Sequence, residues 1–358
     1  KPDESWVVDG KEIHETDDGL YKVEGPYVVE VTLEDGTVRG FDSWSKAFYS
    51  TAAQEHNATV KLLTDIETTS KVTTWATVTV DFNGHTLTVN SSGVAAITAL
   101  TKGTAANVTL MDSVGGGGMV TTGVYGVTVR GTGATATVES GSYNCATSVV
   151  QVENGTAYNK GGTFKTEDAD KIYLLNCIDK AFAAKTAVIE VTGGTFHGFD
   201  PSANPEGEGT TYVKSGYVST NNGDGTYTVD TIKVAQIGET KYATLTDAIA
   251  AANAGDTITL LDNVVLTKTL IIKDKTITLD LNGKTISNST DIWNESTYSW
   301  SLISVRDNGD LTINDTVGGG TLKAKENDCY ALDVYAYRLM NVENTKLTIN
   351  AGNYVGNI

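Results

Sequence analysis

Four aspartates are the residues of this chain whose type and setting could support chemistry: Asp81, Asp112, Asp280 and Asp315. Carboxylates on neighbouring strands can do two kinds of work on a polysaccharide. A pair can protonate and attack a glycosidic bond. A cluster can hold calcium against a substrate acid while an Arg or Lys removes a proton. Each of these aspartates has a twin, however. Asp81-Phe82-Asn83-Gly84 returns 199 residues later as Asp280-Leu281-Asn282-Gly283. Asp112-Ser113-Val114-Gly115-Gly116-Gly117 returns 203 residues later as Asp315-Thr316-Val317-Gly318-Gly319-Gly320. A residue that a fold needs recurs in every repeat, whereas a catalytic group usually survives in one. Asp112 and Asp315, together with Asn83, Gly84, Asn282 and Gly283, therefore read as turn residues, and no residue is assigned a catalytic role.

The remaining reactive residue types form no motif. The arginines, Arg39, Arg130, Arg306 and Arg338, lie in no evident acidic motif, and His14, His56, His85 and His197 show no HxH or HExxH spacing. The glycine run at 115–118 is not followed by Lys-Ser/Thr, so it is no phosphate loop. Three cysteines without a CxxC exclude a dense disulfide framework and a cysteine-rich zinc site. A Cys145–Cys177 bridge stays open, and Cys329, which aligns with Val124, reads as a small core residue. No metal site or cofactor is assigned. A net charge of −18 leaves room for calcium, but Asn221-Asn222-Gly223-Asp224-Gly225 lacks the distal Glu of a calcium loop and reads as a hairpin turn.

Aromatic residues offer a different chemistry. Asp291-Ile292-Trp293-Asn294-Glu295-Ser296-Thr297-Tyr298-Ser299-Trp300 is an insertion in the second repeat, and its counterpart near 91–96 has no aromatics. Rings set among Asn, Glu and Ser can stack on sugars. Trp293, Tyr298 and Trp300, with Tyr335 and Tyr337 placed on a neighbouring coil, are the candidate binding residues. The structural alternative is that Trp293 and Trp300 clamp the loop onto the body of the protein.

Short strands must position all these groups. Glycine is abundant, with 37 residues against 4 prolines, and Thr and Val recur throughout, a mix suited to many strands and tight turns. Thr257-Ile258-Thr259-Leu260, Thr269-Leu270-Ile271-Ile272, Thr276-Ile277-Thr278-Leu279 and Leu311-Thr312-Ile313 are short strands with one buried and one wet face. Asn-Gly at 83–84 and 282–283 supplies the positive φ of a corner. Gly141-Ser142-Tyr143, Gly162-Thr163-Phe164, Gly194-Thr195-Phe196 and Gly352-Asn353-Tyr354 place an aromatic two positions after a turning glycine, where it can stack on its equivalent in the next coil. Residues 43–55 and 244–253 have helical spacing, and a short helix there would cover the open first coil of a solenoid. Repeat units of about 200 residues are too long for an antiparallel sandwich, so the pattern implies an all-β fold of tandem parallel β-helix (solenoid) units, each opened by a short capping α-helix.

The expected organisation is 1–40 as the tail of a preceding unit or N-terminal β segment, 41–212 as the first unit, 213–240 as a β-hairpin linker, and 241–358 as a second, incomplete unit. The tail and the incomplete unit point to a segment cut from a longer array, or to one completed by another chain. Tyr242–Ile249, Gly255–Leu261 and Ile277–Ile286 resemble the right-handed parallel β-helix repeats, within the pectate-lyase-like superfamily, of large surface proteins from Gram-positive gut bacteria. That resemblance implies a right-handed solenoid, secreted or at the cell surface. It carries little about activity, because the architecture serves adhesins, phage spikes and polysaccharide-cleaving enzymes alike.

The acidic balance speaks against nucleic acid as partner, and no apolar run reaches the roughly 20 residues of a membrane span. The function expected is a non-catalytic structural or adhesive segment, a stiff rod whose loops bind host or plant glycan or a surface protein. The alternatives are a polysaccharide lyase or glycoside hydrolase, and a filament subunit that self-associates head to tail through open β-helix ends.

Overall fold

A computed structural model describes the chain except residues 1, 4, 6, 8–9, 17, 50–56, 167–172, 205, 293–300, 326–329, 336–343 and 357–358. Strands hold 51% of the residues and helices 6%, which makes the protein all-β. The chain divides into two compact units, Lys1–Thr231 and Ile232–Ile358, and each has its own apolar core.

The second unit shows the construction in its simplest form. Each turn of the chain gives one short strand to each of three parallel sheets. The first sheet stacks Thr257–Leu260, Thr276–Asp280, Asp310–Asn314 and Lys346–Ile349. The second stacks Val264–Leu266, Thr285–Asn288, Thr321–Lys323 and Asn353–Val355, and the third Leu270–Lys273, Ser301–Arg306 and Tyr330–Tyr335. Alternation explains the burial: in Thr276–Asp280 the Ile277 and Leu279 side chains enter the core while Thr276 is exposed. Parallel register then lays like on like, Ile277 against Leu311 and Leu279 against Ile313, so each coil buries the apolar row of the last. This is a solenoid-like arrangement, in which neighbouring coils supply one another's core.

The first unit is built the same way, with two of its strand rows merged. The long strands Tyr125–Val138 and Val150–Asn159 each run through both rows, joining them into an 11-stranded sheet. Opposite lies an 8-stranded sheet. Its parallel strands Ser142–Cys145, Thr163–Lys165 and Gly194–His197 carry the glycine-plus-aromatic turns. Tyr143 stacks on Phe164 (5.4 Å between centroids, 14° between planes) and Phe164 on Phe196 (4.8 Å, 7°), while Phe82 meets Tyr143 edge-on at 5.9 Å. The aromatic column anticipated from spacing thus runs unbroken from Tyr143 to Phe196, and Met119, Leu87 and Ile66 continue its row in the earlier coils.

Both units open alike. An antiparallel hairpin, Val29–Leu33 with Val38–Phe41 or Ala235–Ile237 with Thr240–Tyr242, lies antiparallel on the first parallel strand. A short helix follows each hairpin: α1 (Trp44–Tyr49) buries Trp44, Ala47 and Phe48. A further helix, α2 (Asp179–Ala183), interrupts the coils of the first unit and had no counterpart among the sequence expectations. In α3 (Leu245–Ala251), Leu245, Ala248 and Ile249 are buried, and Thr244 caps the start by accepting from the Asp247 N–H at 3.0 Å. Where one hairpin linker was expected over 213–240, two hairpins occur. Tyr217–Asn221 with Thr226–Thr231 pairs onto Gly194–His197 of the first unit, and Ala235–Ile237 with Thr240–Tyr242 belongs to the second. No described helix is long and apolar enough to cross a membrane.

Candidate functional site

The four recurring aspartates sit in corners where main-chain N–H groups surround them. Asp81 Oδ1 accepts from the Asn83 N–H (2.9 Å) and from the Ser113 N–H of the next coil (3.0 Å), and Oδ2 accepts from the Ser113 hydroxyl (2.7 Å). Asp280 repeats this with Asn282 (3.0 Å), the Thr316 N–H (3.0 Å) and the Thr316 hydroxyl (2.8 Å). Asp112 accepts from the N–H groups of Gly84 and Gly117, both at 2.7 Å. Asp315 accepts from those of Gly283 (2.8 Å) and Gly320 (2.8 Å). Asn83 and Asn282 adopt φ of 51° and 48°, Gly84 and Gly283 81° and 75°. Each asparagine amide also donates to the previous coil, Asn83 to Leu62 O (2.9 Å) and Asn282 to Leu260 O (2.8 Å). One corner, two coils and the same set of bonds appear in both units. Carboxylates engaged this way hold turns closed.

The outer face of the second unit's third sheet is different. Ile303, Val305 and Leu332 point into the core, so alternation puts Ser304, Arg306, Asp333 and Tyr335 on the opposite face. Register sets Ser304 beside Asp333 and Arg306 beside Tyr335 on adjacent strands. Arg306 is only 8% exposed, donates from Nε to Ser304 Oγ at 2.8 Å, and lies with its guanidinium carbon 5.3 Å from the Tyr335 ring centroid. Burial pushes the Asp333 carboxyl above the usual carboxylate range, opposed by the Ser304 hydroxyl, the Arg306 charge and Ser301. Ser301 Oγ and Asp333 Oδ1 have no hydrogen-bond partner among the described residues. A buried cation, a desolvated carboxyl, the Ser304 hydroxyl and an aromatic ring therefore converge on one face. That set can bind polar ligands through hydrogen bonds and stacking.

In the first unit the row equivalent to Ser304 and Asp333 is neutral. Thr73, Thr98, Thr128, Gln151 and Asn176 follow one another in register across the strands, and Asn176 donates to Gln151 Oε1 at 2.8 Å. Thr128 stands where Asp333 does, and Arg130 where Tyr335 does. Arg130 donates instead to Glu153 at 2.6 Å.

Of the binding residues expected from sequence, Tyr335 is part of this face, while Trp293, Tyr298, Trp300 and Tyr337 lie outside the described residues. Arg306, Ser304 and Asp333 had not been singled out as a group. Their partners lie one coil away, and no local motif links them. Cys145 and Cys177 are free and buried, so no disulfide joins them. Burial pushes both thiols up to about 12. No group of three or more His, Cys, Asp or Glu among the described residues could hold a metal ion. The chain matches no family model, and no curated protein or solved structure matches it significantly.

Proposed function

We propose that this chain is a non-catalytic segment of a bacterial surface protein, in which tandem right-handed parallel β-helix units form a rigid support and the outer face around Arg306 and Asp333 binds a glycan or a surface protein. The observation that carries the reading is the contrast between two outer faces on one scaffold. The corners of the units share the same set of aspartate-to-amide bonds. The faces do not: the first sets a row of Thr, Gln and Asn beside the exposed Arg130–Glu153 pair, and the second gathers a buried Arg306 with Asp333, Ser304 and Tyr335. Shared corners are what a scaffold repeats, and a differing face is where a scaffold specialises. Carbohydrate recognition suits planar rings and bidentate polar groups. A secreted or cell-surface setting is part of the same reading and fits the acidic surface.

Cleavage of the same ligands is the second reading, and one observation favours it: Asp333, raised by burial beside Arg306, resembles a carboxyl poised to donate a proton. Glycoside hydrolysis needs a second carboxylate across the bond, and among the described residues of this cluster Asp333 is the single carboxyl. The test is incubation with a panel of plant and host polysaccharides, with and without calcium, scored for retention and for released oligosaccharides. Retention without release, weakened about tenfold or more by Arg306→Ala and Asp333→Asn, is the result expected. Released products abolished by Asp333→Asn would replace the adhesive reading with the catalytic one. No retention of any polysaccharide would remove glycan as the ligand.

A further inference from the structure

Five asparagines in this chain are followed by glycine: Asn83, Asn154, Asn222, Asn282 and Asn308. That dipeptide carries a latent reaction. The glycine nitrogen, once its proton is lost to water, attacks the side-chain carbonyl carbon of the asparagine. A C–N bond forms, and the side-chain amide leaves as ammonia. Water then opens the ring at either carbonyl, giving aspartate or isoaspartate, so that overall water is taken up and ammonia released. The ring closes only where the glycine nitrogen is free to turn onto that carbon, the near-attack geometry on which such a step depends. The bonds made by each glycine N–H therefore decide which asparagine reacts.

Four of these sites are tied to neighbouring coils. Gly84 N donates to Asp112 Oδ1 at 2.7 Å and Gly283 N to Asp315 Oδ1 at 2.8 Å, while the Asn83 and Asn282 amides are pinned to Leu62 O and Leu260 O. Gly155 N donates to Thr186 O at 2.8 Å, and a Cβ on Gly155 would lie 2.4 Å from Ala134 O. Asn308 donates from its N–H to Thr345 Oγ1 (3.0 Å) and from its amide to Asp274 (3.3 Å). Gly309 donates to Arg306 O at 2.8 Å and is packed under Ile272 O, 2.3 Å from where a Cβ would stand. Turning any of these glycine nitrogens means first parting two coils.

Asn222–Gly223 has no such tie. It lies in the exposed turn between Tyr217–Asn221 and Thr226–Thr231. Among the described residues Gly223 N donates to Asn221 Oδ1 alone (2.8 Å), a side chain of the same turn, and nothing lies within 4 Å of where a Gly223 Cβ would stand. The Asn222 amide bridges the turn to its second strand, donating to Thr226 Oγ1 (2.8 Å) and Thr228 Oγ1 (2.9 Å), and the Asn222 N–H donates to Thr226 O at 3.0 Å. That strand is a lid: it runs antiparallel along Gly194–His197 and buries Val229, 3% exposed, in the first unit's core.

We infer that Asn222 is a site of spontaneous deamidation, and that its conversion loosens the strand covering the first unit's core. The product carries a carboxylate, which accepts hydrogen bonds and has none to donate to the threonine hydroxyls. The isoaspartyl form also adds a carbon to the main chain, lengthening the turn that sets the hairpin's register. Asp112 and Asp315 have the opposite effect at their corners: by holding the Gly84 and Gly283 N–H groups they keep the same dipeptide intact there. None of this depends on what the outer face around Arg306 binds.

Peptide mapping by mass spectrometry tests the inference on the full chain, held for weeks at mildly alkaline pH either folded or unfolded in urea. In urea all five asparagines are expected to deamidate at similar rates, since glycine follows each. In the folded chain Asn222 should react nearly as fast as in urea, while the others slow by about tenfold or more, because each must wait for a local opening. Hydrogen exchange should then rise in the aged chain along Thr226–Thr231 and at Gly198, whose N–H donates to Gly225 O. Asn222→Gln, aged alongside, should show no such rise. An Asn222 as slow as Asn83 and Asn282 in the folded chain would overturn the inference. So would corner asparagines that react as fast folded as unfolded, or hydrogen exchange that conversion leaves unchanged or that rises equally in Asn222→Gln.

Discussion

Asp112 shows at the level of one residue how a corner is held. Burial works against its charge, but the N–H groups of Gly84, Gly117, Gly115 and Val114 outweigh that and draw its carboxyl below the usual value. A depressed pKa means that the folded state holds the proton less readily than the unfolded chain. The stability this contributes is present above the unfolded value and is lost as pH falls through the folded one. Thermal melting should therefore show a loss that begins below about pH 4. Asp112→Asn keeps one acceptor oxygen for two N–H donors, so it should cost about 1–3 kcal/mol at neutral pH and flatten the acid limb. An unchanged melting temperature in that variant would show that the corner does not depend on the carboxylate. The role of Asp112 was legible from sequence because its setting recurs in Asp315. The grouping of Arg306 with Asp333 was not, since nothing repeats it: Thr128 occupies the Asp333 position in the first unit.

At the scale of elements, the strands were readable wherever two-residue alternation is strict, as in Thr276–Asp280, and the helix start was readable from Thr244. The long strands Tyr125–Val138 and Val150–Asn159 were not. Gly131 and Gly133 in the former, and Gly155 in the latter, resemble strand breaks in sequence, yet pairing continues past them with shifted register. The outer face was hidden for a related reason. Coil lengths vary, so Arg130 finds Glu153 after 23 residues while Asp81 finds Ser113 after 32, and no fixed spacing announces which polar groups will meet. The aromatic column gives the element scale its prediction. Phe164 is stacked on both sides, by Tyr143 and Phe196, and is fully buried. Phe164→Ala should cost about 3–5 kcal/mol, whereas Phe164→Leu should recover most of that loss. Urea denaturation followed by tyrosine fluorescence measures both, and equal losses for the two would mean that volume is not what the column supplies.

For the whole molecule, charge and repetition have separate consequences. A net charge of −18 makes copies of the chain repel one another. Salt screens that repulsion. The repulsion between copies measured by light scattering should thus weaken from low to physiological ionic strength, and a repulsion that salt leaves unchanged would show that net charge is not its source. The repeated corner has a further result for how such a chain changes length over time. The corner ties two particular coils together in each unit: Asp81 takes donors from Ser113 of the coil after it, as Asp280 does from Thr316, while Asp112 and Asp315 take them from Gly84 and Gly283 of the coil before. A coil inserted between the two would carry Ser113 away from Asp81 and break both halves of the clasp. A slip of one residue within a strand would turn its later side chains to the wrong face. Changes of length are therefore expected outside the clasped pair, as whole coils or as insertions in the loops between strands.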